Sequence, residues 1–335
     1  MPEKSTFHEY LSQQSRKIVN LPDSTPSPSS FTADNLNSFI LEKIEPDTAY
    51  NQRCKAVVNR LCHFMQNNFP NKLRPSEVVK SGSLGKGTAV KGKSDVDLVV
   101  FLAKLTTISE LREKLNDIFD RMKLYLNKYA GCKVIGTTPY AVQVSVNCHG
   151  HIHSVDILPS IDIIRKKTCD DIYAEMETRS EREKKYYSSA FAPLQVDFVS
   201  QVPTKVKNLI RLIKYWKKTE FEERTDGKRL PSSYILELIV IGQWGKVGKP
   251  ENFDICKGLY HVFRAIADYR SLRHAWTENY KYNNFVGDQW YVVDPANPFN
   301  NVMEACDLWD HVAEKANEFL QSPLIKGLPS FDGWV

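Results

Sequence analysis

Apolar residues recur every three or four positions between residues 48 and 68, a spacing typical of an amphipathic helix. A Pro-Asp-Thr tripeptide at 46–48 supplies a helix start signal. We therefore expect one helix over 48–68 that leads into the glycine-rich turn after it. The apolar face of this helix comprises Val57, Leu61 and either Phe64 or Met65.

Strand-like and helical patterns alternate farther along the chain. Residues 95–103 predict a strand, 109–129 predict a helix, and the runs 140–148 and 151–164 predict a pair of strands. From about residue 200 the pattern becomes helical. The expected helices are 203–219, 231–245, 254–275 and 303–321. The patterns together predict a sheet-bearing N-terminal lobe and a mostly helical C-terminal lobe, with a cleft between them.

A chain of 335 residues is long enough for about two domains. Residues 21–30 read LPDSTPSPSS, a composition typical of a segment without a core of its own. We therefore expect residues 1–32 to form a flexible extension. Residues 33–200 are expected to form the catalytic core, and residues 201–335 the helical domain.

Composition excludes several classes of protein. No run of about 18 apolar residues exists, so no membrane span is expected, and the N-terminus lacks the apolar region of a secretory signal. The seven cysteines are scattered without metal-ligand spacing, which predicts reduced thiols in a cytoplasmic protein. A net charge of +5 permits an acidic polymer as partner but does not require one.

The segment 81–102, SGSLGKGTAVKGKSDVDLVVFL, carries the first candidate chemistry. Its glycines and lysine do not have P-loop spacing. Asp95 and Asp97 are two apart on a predicted strand, so both carboxylates point to the same face. Two carboxylates this close repel each other unless a cation lies between them, and Mg²⁺ takes such oxygen ligands together with phosphates. The turn before them offers backbone N–H groups and the Ser83 hydroxyl to a triphosphate.

Asp156 is a third carboxylate, in the apolar run VDILPS. A charge in such a strand is costly to bury without a partner or a metal. With Asp95 and Asp97 it makes a set able to hold two Mg²⁺ ions for phosphoryl or nucleotidyl transfer. Asp162, at the end of the same run, is interpreted as structural.

Gly-Ser near a helix, Asp-x-Asp on a strand and a later third Asp resemble the polymerase β-like nucleotidyltransferases. Further segments resemble the 2′-5′-oligoadenylate synthetases, from about residue 35 to residue 334. These segments are VVKSGSLGKGTAVKGKSDVDLVVFL, VDILPSID, VPTKVKNLIRLIKYW, LPSSYILELI and VVDPANPFNNV. The resemblance implies an α+β fold: a polymerase β-like N-terminal lobe with a mixed sheet, a mostly helical C-terminal lobe, and an active site in the cleft.

That family joins ATP through 2′-5′ bonds, releases pyrophosphate and responds to double-stranded RNA in antiviral innate immunity, and the resemblance implies the same here. By resemblance, Asp95, Asp97 and Asp156 are catalytic and hold two Mg²⁺ ions, and Asp156 also helps to deprotonate the acceptor 2′-hydroxyl. The expected ATP-binding residues, again by resemblance, are Ser83, Arg211, Lys214, Ser233 and Tyr234.

The segment 203–218 carries a stripe of cations at helical spacing, Lys207, Arg211, Lys214 and Lys218, and contains no acidic residue. This pattern favours a face that meets an anion, nucleotide in the cleft and RNA elsewhere, over an ordinary solvated charged face. The opposite side, which includes Leu209 and Trp216, is expected to be buried. The expected RNA-binding residues are Lys80, which matches a family lysine, and Arg53, Lys55, Lys205 and Lys207.

The chain departs from the family pattern at several positions. Leu84 replaces a serine of the glycine turn, and Ser233 stands where glutamine is common. Val196 and Ser200 lie where basic RNA-contacting residues are common. The segment SPLIKGL replaces a Cys-Phe-Lys patch used for self-association, so we expect a monomer.

Three other interpretations are compatible with parts of this pattern. A cGAS-like receptor that makes a cyclic dinucleotide would share the fold and the three aspartates. A catalytically dead RNA-binding scaffold would have lost one of these aspartates, and all three are present. CCA-adding and poly(A) polymerases share Asp-x-Asp, but the longer segment matches argue against them.

Overall fold

The computed structural model describes residue 26 and residues 30–91, 96–148, 151–222, 226–281 and 289–335. Asp95 therefore lies outside the described residues. The first elements, in chain order, are α1 (Ala33–Phe39), α2 (Thr48–Asn68), β1 (Pro75–Lys80), α3 (Ser83–Lys86), β2 (Val96–Leu102), α4 (Ile108–Leu126), β3 (Cys132–Thr137), β4 (Val142–Cys148) and β5 (His151–Ser160). Helix α1 packs in the core of the C-terminal lobe, where Phe39 contacts Tyr215, and α2 to β5 form the N-terminal lobe.

The rest of the described chain is mainly helical. Its elements are α5 (Cys169–Glu177), α6 (Glu181–Lys184), α7 (Ala192–Ser200), α8 (Thr204–Glu220), α9 (Ser233–Lys246), α10 (Ile255–Ala267), β6 (Arg273–His274), β7 (Tyr291–Asp294), β8 (Asn297–Asn301), α11 (Trp309–Leu320) and α12 (Pro323–Lys326). Among the described residues, β6, β7 and β8 form a small three-stranded sheet.

The main sheet has the strand order β1-β2-β5-β4-β3. β2 and β5 pair in parallel, and the other neighbouring strands pair antiparallel, so the sheet is mixed as expected. The parallel pair matters for function because equivalent positions of β2 and β5 lie side by side and point to the same face.

Side-chain alternation along β2 decides which face is covered. Val96, Leu98 and Val100 are buried in the core that α2 and α4 form against the sheet. Asp97 and Val99 point to the opposite face, because successive side chains of a strand alternate. On that opposite face Val99 packs with Ala192 of α7, and Asp97 lines a cavity together with residues of α8 and α9.

The C-terminal lobe has a core of its own around α8, α9, α10 and α11. Helix α9 is buried along most of its length, so its one acidic residue, Glu237, is buried with it. Ser232 caps the start of α9, since its side chain accepts a hydrogen bond from the N–H of Ile235. Helix α8 is buried on all sides from Leu209 to Trp216. The apolar side is buried as expected, but Arg211 and Lys214 of the cationic stripe are buried too.

Most of the sequence predictions for this architecture are confirmed. The helix over 48–68 has these bounds, and the strands over 140–148 and 151–164 do pair with each other. Strand β1, which was not predicted, lies between this helix and the glycine turn. Its sequence, PSEVVK, lacks clean alternation, and the strand forms through pairing with β2.

Two helical predictions were too long. The segment 254–275 contains α10, a short 3-10 turn and the strand β6, and the segment 303–321 contains a 3-10 turn before α11 begins at Trp309. Apolar residues continue through these turns and remain buried. Periodicity alone therefore did not mark the ends of the helices.

The chain approaches the body of the molecule before α1. Phe31 is buried against Phe39, with ring centroids 4.2 Å apart, and the Tyr215 hydroxyl donates to the carbonyl of Pro26. The other residues of the expected extension, 1–25 and 27–29, lie outside the described residues. Within the described chain, no helix combines the length and hydrophobicity that crossing a membrane requires.

Candidate active site

Asp97 and Asp156 are Cα partners on the neighbouring parallel strands β2 and β5. Adjacent strands lie about 4.8 Å apart, so the two residues are held close by main-chain hydrogen bonds. Both are half-buried, and both line the cavity between the lobes. The strand register therefore brings together two of the three predicted carboxylates. Asp95 belongs to segment 92–95, which lies outside the described residues.

Gln143 extends this row onto β4, where it is the Cα partner of Asp156. Its Nε2 donates a hydrogen bond of 3.1 Å to Oδ1 of Asp156. Sequence reasoning missed this residue. A polar side chain in the otherwise apolar run AVQV was the available signal, but only the pairing of β4 with β5 puts it beside a catalytic candidate.

The glycine turn is packed directly onto the aspartate strand. A Cβ atom at Gly82 would lie 2.6 Å from Oδ2 of Asp97, and one at Gly85 would lie 1.8 Å from the carbonyl oxygen of Lys80. Both positions therefore require glycine for close approach. Ser81 adds a main-chain hydrogen bond of 2.8 Å from its N–H to the carbonyl of Asp97.

Glu237 forms the centre of a buried charge network beneath this turn. Its carboxylate accepts from Lys86 at 3.1 Å, from Lys214 at 3.2 Å and from the hydroxyl of Thr88 at 2.6 Å. Burial opposes ionisation, but the two lysines and these hydrogen bonds prevail and lower the pKa of Glu237 to about 2. Burial also lowers the pKa of Lys214, against the opposing effect of Glu237.

Arg211 donates hydrogen bonds to the backbone of the loop that follows the glycine turn. Its guanidinium donates to the carbonyls of Gly87 at 2.6 Å and Ala89 at 3.0 Å, and also to the side chain of Asn208. Burial lowers the pKa of Arg211, with Glu45 acting in the opposite direction. In this conformation the guanidinium supports the backbone of residues 87–89.

Tyr234 connects the turn to the segment VVDPANPFNNV. Its hydroxyl donates 3.1 Å to Asp294, which is fully buried and also accepts from Gln195 at 2.7 Å. Burial raises the pKa of Asp294, while its hydrogen bonds pull the other way. The Lys86 ammonium lies over the Tyr234 ring, 3.7 Å from its centroid, in a cation–π contact.

These groups surround a cavity of about 410 Å³, a size within the range of small-molecule sites. Of the expected ATP-binding residues, Ser83, Lys214, Ser233 and Tyr234 line it, while Arg211 lies behind the 87–89 backbone. The other lining residues are Gly82, Lys86, Val90, Val96, Asp97, Gln143, Ser154, Asp156, Lys218, Ser232 and Glu237.

Lys86 and Glu237 line the cavity, but they were not assigned to the site from the sequence. Both lie within segments that resemble the synthetase family. Lys86 follows the glycine turn, and Glu237 is the acidic residue in LPSSYILELI. A lone acid in a mostly apolar helix was a usable signal, because such a charge requires a partner. A separate depression of about 640 Å³ lies between α10 and α11, but it contains none of the quoted motifs.

The expected RNA-binding residues lie on or near the two helices that flank the turn. Arg53 and Lys55 are exposed on α2, and Lys80 donates from Nζ to the Asn59 side chain of the same helix. The Lys207 ammonium donates 2.7 Å to the Ser200 carbonyl. A second residue near the start of α8, Lys205, lies 5.2 Å from the centroid of the Phe253 ring.

Comparison with known proteins matches both lobes. Residues 166–330 match the family model described as 2′-5′-oligoadenylate synthetase 1, domain 2, C-terminus, and residues 59–147 match a nucleotidyltransferase domain. Mouse 2′-5′-oligoadenylate synthase 1A is 31% identical over 328 residues, which cover 88% of this chain and 89% of that protein.

The chain belongs to the 2′-5′-oligoadenylate synthase family. The expected family resemblance is thereby confirmed, and the enzyme class is that of a nucleotidyltransferase. Rat 2′-5′-oligoadenylate synthase 1A is 30% identical and covers 86% of this chain and 89% of that protein. Another rat relative, named inactive 2′-5′-oligoadenylate synthase 1B, is 29% identical, with coverage of 89% and 86%.

A solved structure of CdnC from E. coli MS115-1 with ATP shares the fold of this synthase-family chain. Its TM-score is 0.62 at 20% sequence identity, over 87% of this chain and 89% of that chain. This likeness, together with the mixed sheet and the helical lobe, confirms the expected α+β nucleotidyltransferase fold.

Proposed function

We propose that this protein polymerises ATP into 2′-5′-linked oligoadenylates and releases pyrophosphate when double-stranded RNA binds. The observation that carries the proposal is the register of Asp97 with Asp156, both facing a cavity that also contains Lys214 and Lys218, in a chain of this family. The expected biological setting is antiviral innate immune signalling in the cytoplasm, with the protein acting as a monomer.

The proposed reaction is a nucleotidyl transfer. The 2′-hydroxyl oxygen of the acceptor attacks the α-phosphorus of ATP and forms the new P–O bond. The bond between the α-phosphorus and the bridging oxygen to the β-phosphate breaks, and pyrophosphate leaves with that oxygen. The hydroxyl proton passes to a nearby base, and Asp156 is the candidate because its carboxylate faces the cavity.

The carboxylates fit a divalent cation. Asp97 and Asp156 supply oxygen ligands from adjacent register positions, which is the donor type that Mg²⁺ binds. They would hold Mg²⁺ together with Asp95, whose sequence position places it two residues before Asp97. Two such ions, when bound, stabilise charge on the attacking and leaving oxygens.

The triphosphate of the donor ATP would lie along the cationic side of the cavity. Lys214 and Lys218 line that side, and Ser83 offers a hydroxyl from the glycine turn. Ser233 and Tyr234 are proposed to lie beside the nucleotide. Arg211 joins this set if its guanidinium exchanges the 87–89 carbonyls for phosphate oxygens.

Duplex RNA is proposed to bind the face made by α2 and the start of α8. RNA duplexes are contacted mainly through phosphates and 2′-hydroxyls, so exposed cations such as Arg53 and Lys55 suit this role. Lys80, Lys205 and Lys207 complete the proposed surface. The Lys207 ammonium lies 3.6 Å from the Cβ position of Gly87, and the Lys80 carbonyl abuts Gly85. Movement of Lys80 or Lys207 when RNA binds would therefore displace the glycine turn. That displacement would change the equilibrium between inactive and active conformations.

The test is an incubation with Mg²⁺ and all four nucleoside triphosphates, with and without a long duplex RNA, followed by product analysis. Linear adenylates that resist a 3′-5′-specific nuclease and form only with RNA support the proposal. A phosphatase-resistant cyclic product would instead indicate a cyclic-dinucleotide synthase. The Asp156→Asn variant should bind RNA normally and lose at least about a thousandfold in turnover. Absence of any product with retained RNA binding would indicate an inactive family member.

A further inference from the structure

Gln143 places a neutral amide beside Asp156, one of the three predicted catalytic carboxylates. Asp156 lies in the middle of a three-strand row, with Asp97 on one side and Gln143 on the other. The strand register fixes this order, because each pair consists of Cα partners in adjacent strands. Asp156 therefore has a like charge on one flank and a hydrogen-bond donor, 3.1 Å away, on the other.

The amide has a defined orientation. An ionised carboxylate accepts hydrogen bonds and donates none, so the NH₂ group must be the end that faces Asp156. The amide oxygen then points away, and it lies 4.0 Å from the Cβ position of Gly136. Gly136 is the Cα partner of Gln143 on the edge strand β3, and its lack of a side chain leaves this space open.

We infer that Gln143 is a positioning residue for Asp156, which holds the carboxylate in the orientation required to bind a divalent cation and face the acceptor hydroxyl. The inference rests on the proposed function, since it gives Gln143 a role in that reaction. Without the amide, repulsion from Asp97 is opposed by one contact fewer, and the carboxylate gains rotational freedom. Groups that orient metal ligands typically affect metal affinity or activity by 10- to 100-fold when removed.

A structural role alone is a weaker account of this residue. Gln143 is half-buried and lines the cavity, so its amide is not part of the packed core. The pairing of β4 with β5 depends on main-chain hydrogen bonds that a side-chain change leaves in place. Its core-facing neighbours, Val142 and Val144, are fully buried and supply the packing of this strand.

The experiment compares Gln143→Met with a matched control, Gln321→Met, at an exposed position on the other lobe. Mn²⁺ is the metal probe, with its binding to the RNA-free protein followed by electron paramagnetic resonance. We expect Gln143→Met to weaken Mn²⁺ binding by about 10- to 100-fold and to lower kcat similarly. KM for ATP should stay within about twofold, and Tm within about 2 °C.

Gln143→His is the rescue variant, because its Nε2–H reaches about as far as the glutamine amide. Partial recovery of Mn²⁺ affinity by histidine supports positioning through the hydrogen bond. Mn²⁺ binding and turnover like the wild type in Gln143→Met would overturn the inference, as would a fall in Tm of more than about 5 °C that accounts for both losses. If the wild-type protein makes no oligoadenylate, the proposed function fails, while the Mn²⁺ comparison still decides the role of Gln143.

Discussion

The ammonium of Lys86 lies 3.1 Å from the carboxylate of Glu237, and both groups are buried. This contact joins the glycine turn of the N-terminal lobe to a core helix of the C-terminal lobe. Lys214 reaches the other oxygen of the same carboxylate at 3.2 Å. The geometry of the turn beside Asp97 therefore depends on a charge network that neither lobe contains alone.

Glu237→Gln should destabilise the protein strongly. The substitution leaves two buried lysines without a counter-charge, and breaking a buried ion pair by removing one partner costs about 3–5 kcal/mol. The free energy of unfolding, measured by urea denaturation, is expected to fall by this amount. The exposed Glu113→Gln on α4 is the control, and its unfolding free energy should match the wild type within about 0.5 kcal/mol. Equal stability of both variants would show that the network carries little energy.

Gly85→Ala should damage the turn, because the added Cβ would lie 1.8 Å from the carbonyl oxygen of Lys80. The backbone must shift, and such overpacking costs about 1–3 kcal/mol or more. Thermal unfolding is expected to begin at a lower temperature, and nucleotidyl transfer should fall with it. Gly245→Ala is the matched control, since nothing lies within 4 Å of its Cβ position on helix α9. That variant should be as stable as the wild type or about 0.5–1 kcal/mol more stable.

Arg211→Ala should lower the free energy of unfolding of the protein even when no nucleotide is bound. The carbonyls of Gly87 and Ala89 lose their charged donor, and hydrogen bonds to charged groups contribute about 1.5–3 kcal/mol. The unfolding free energy of the nucleotide-free protein is the measurement. An unchanged unfolding free energy, combined with a raised KM for ATP, would assign Arg211 to the triphosphate alone.

Lys218→Ala, in contrast, should raise the KM for ATP and leave the free energy of unfolding unchanged. Lys218 lines the cavity and is half-buried, unlike the buried Lys214, so its loss should spare the core. We expect KM for ATP to rise about tenfold, which corresponds to about 1.4 kcal/mol of binding energy. Lys228→Ala, on an exposed loop outside the cavity, is the control and should leave KM unchanged. A Lys218→Ala variant with wild-type KM would remove Lys218 from the proposed triphosphate site.

His274 should make stability depend on pH between about 4 and 6.5. Burial, assisted by Lys246, lowers the pKa of His274 to about 4, while Glu278 acts in the opposite direction. Because the unfolded state binds the proton more readily, stability is full above pH 6.5 and decreases as the pH falls toward 4. The shift corresponds to up to about 3 kcal/mol.

The check is the free energy of unfolding at pH 7 and pH 5 for the wild type and His274→Gln. The wild type should lose about 1–2 kcal/mol more than the variant over this interval. The exposed His63→Gln variant serves as control and should keep the wild-type pH dependence. If His274→Gln keeps it as well, another group titrates in this range.

The sequence by itself determined which side chains were candidates for the chemistry and which local elements carry them. Asp97 and Asp156 could be chosen from it because a charge in an apolar strand must have a function or a partner. The helix over 48–68 followed from its 3.6-residue period, and the glycine turn was recognised from its place just before the aspartates. These are local properties, which a single segment carries by itself.

Only the tertiary structure decided which groups meet. Gln143 became part of the site through the register of β4 on β5, and a shift of one residue would have turned it to the opposite face. Arg211 shares a stripe with Lys214 in the sequence, yet it binds carbonyls of residues 87–89, which are more than 120 positions away. Glu237 pairs with Lys86 of one lobe and Lys214 of the other. A buried carboxylate is stabilised by the cations that tertiary packing brings close to it. Such pairings depend on distances between segments remote in the chain, and periodicity and composition contain no measure of those distances.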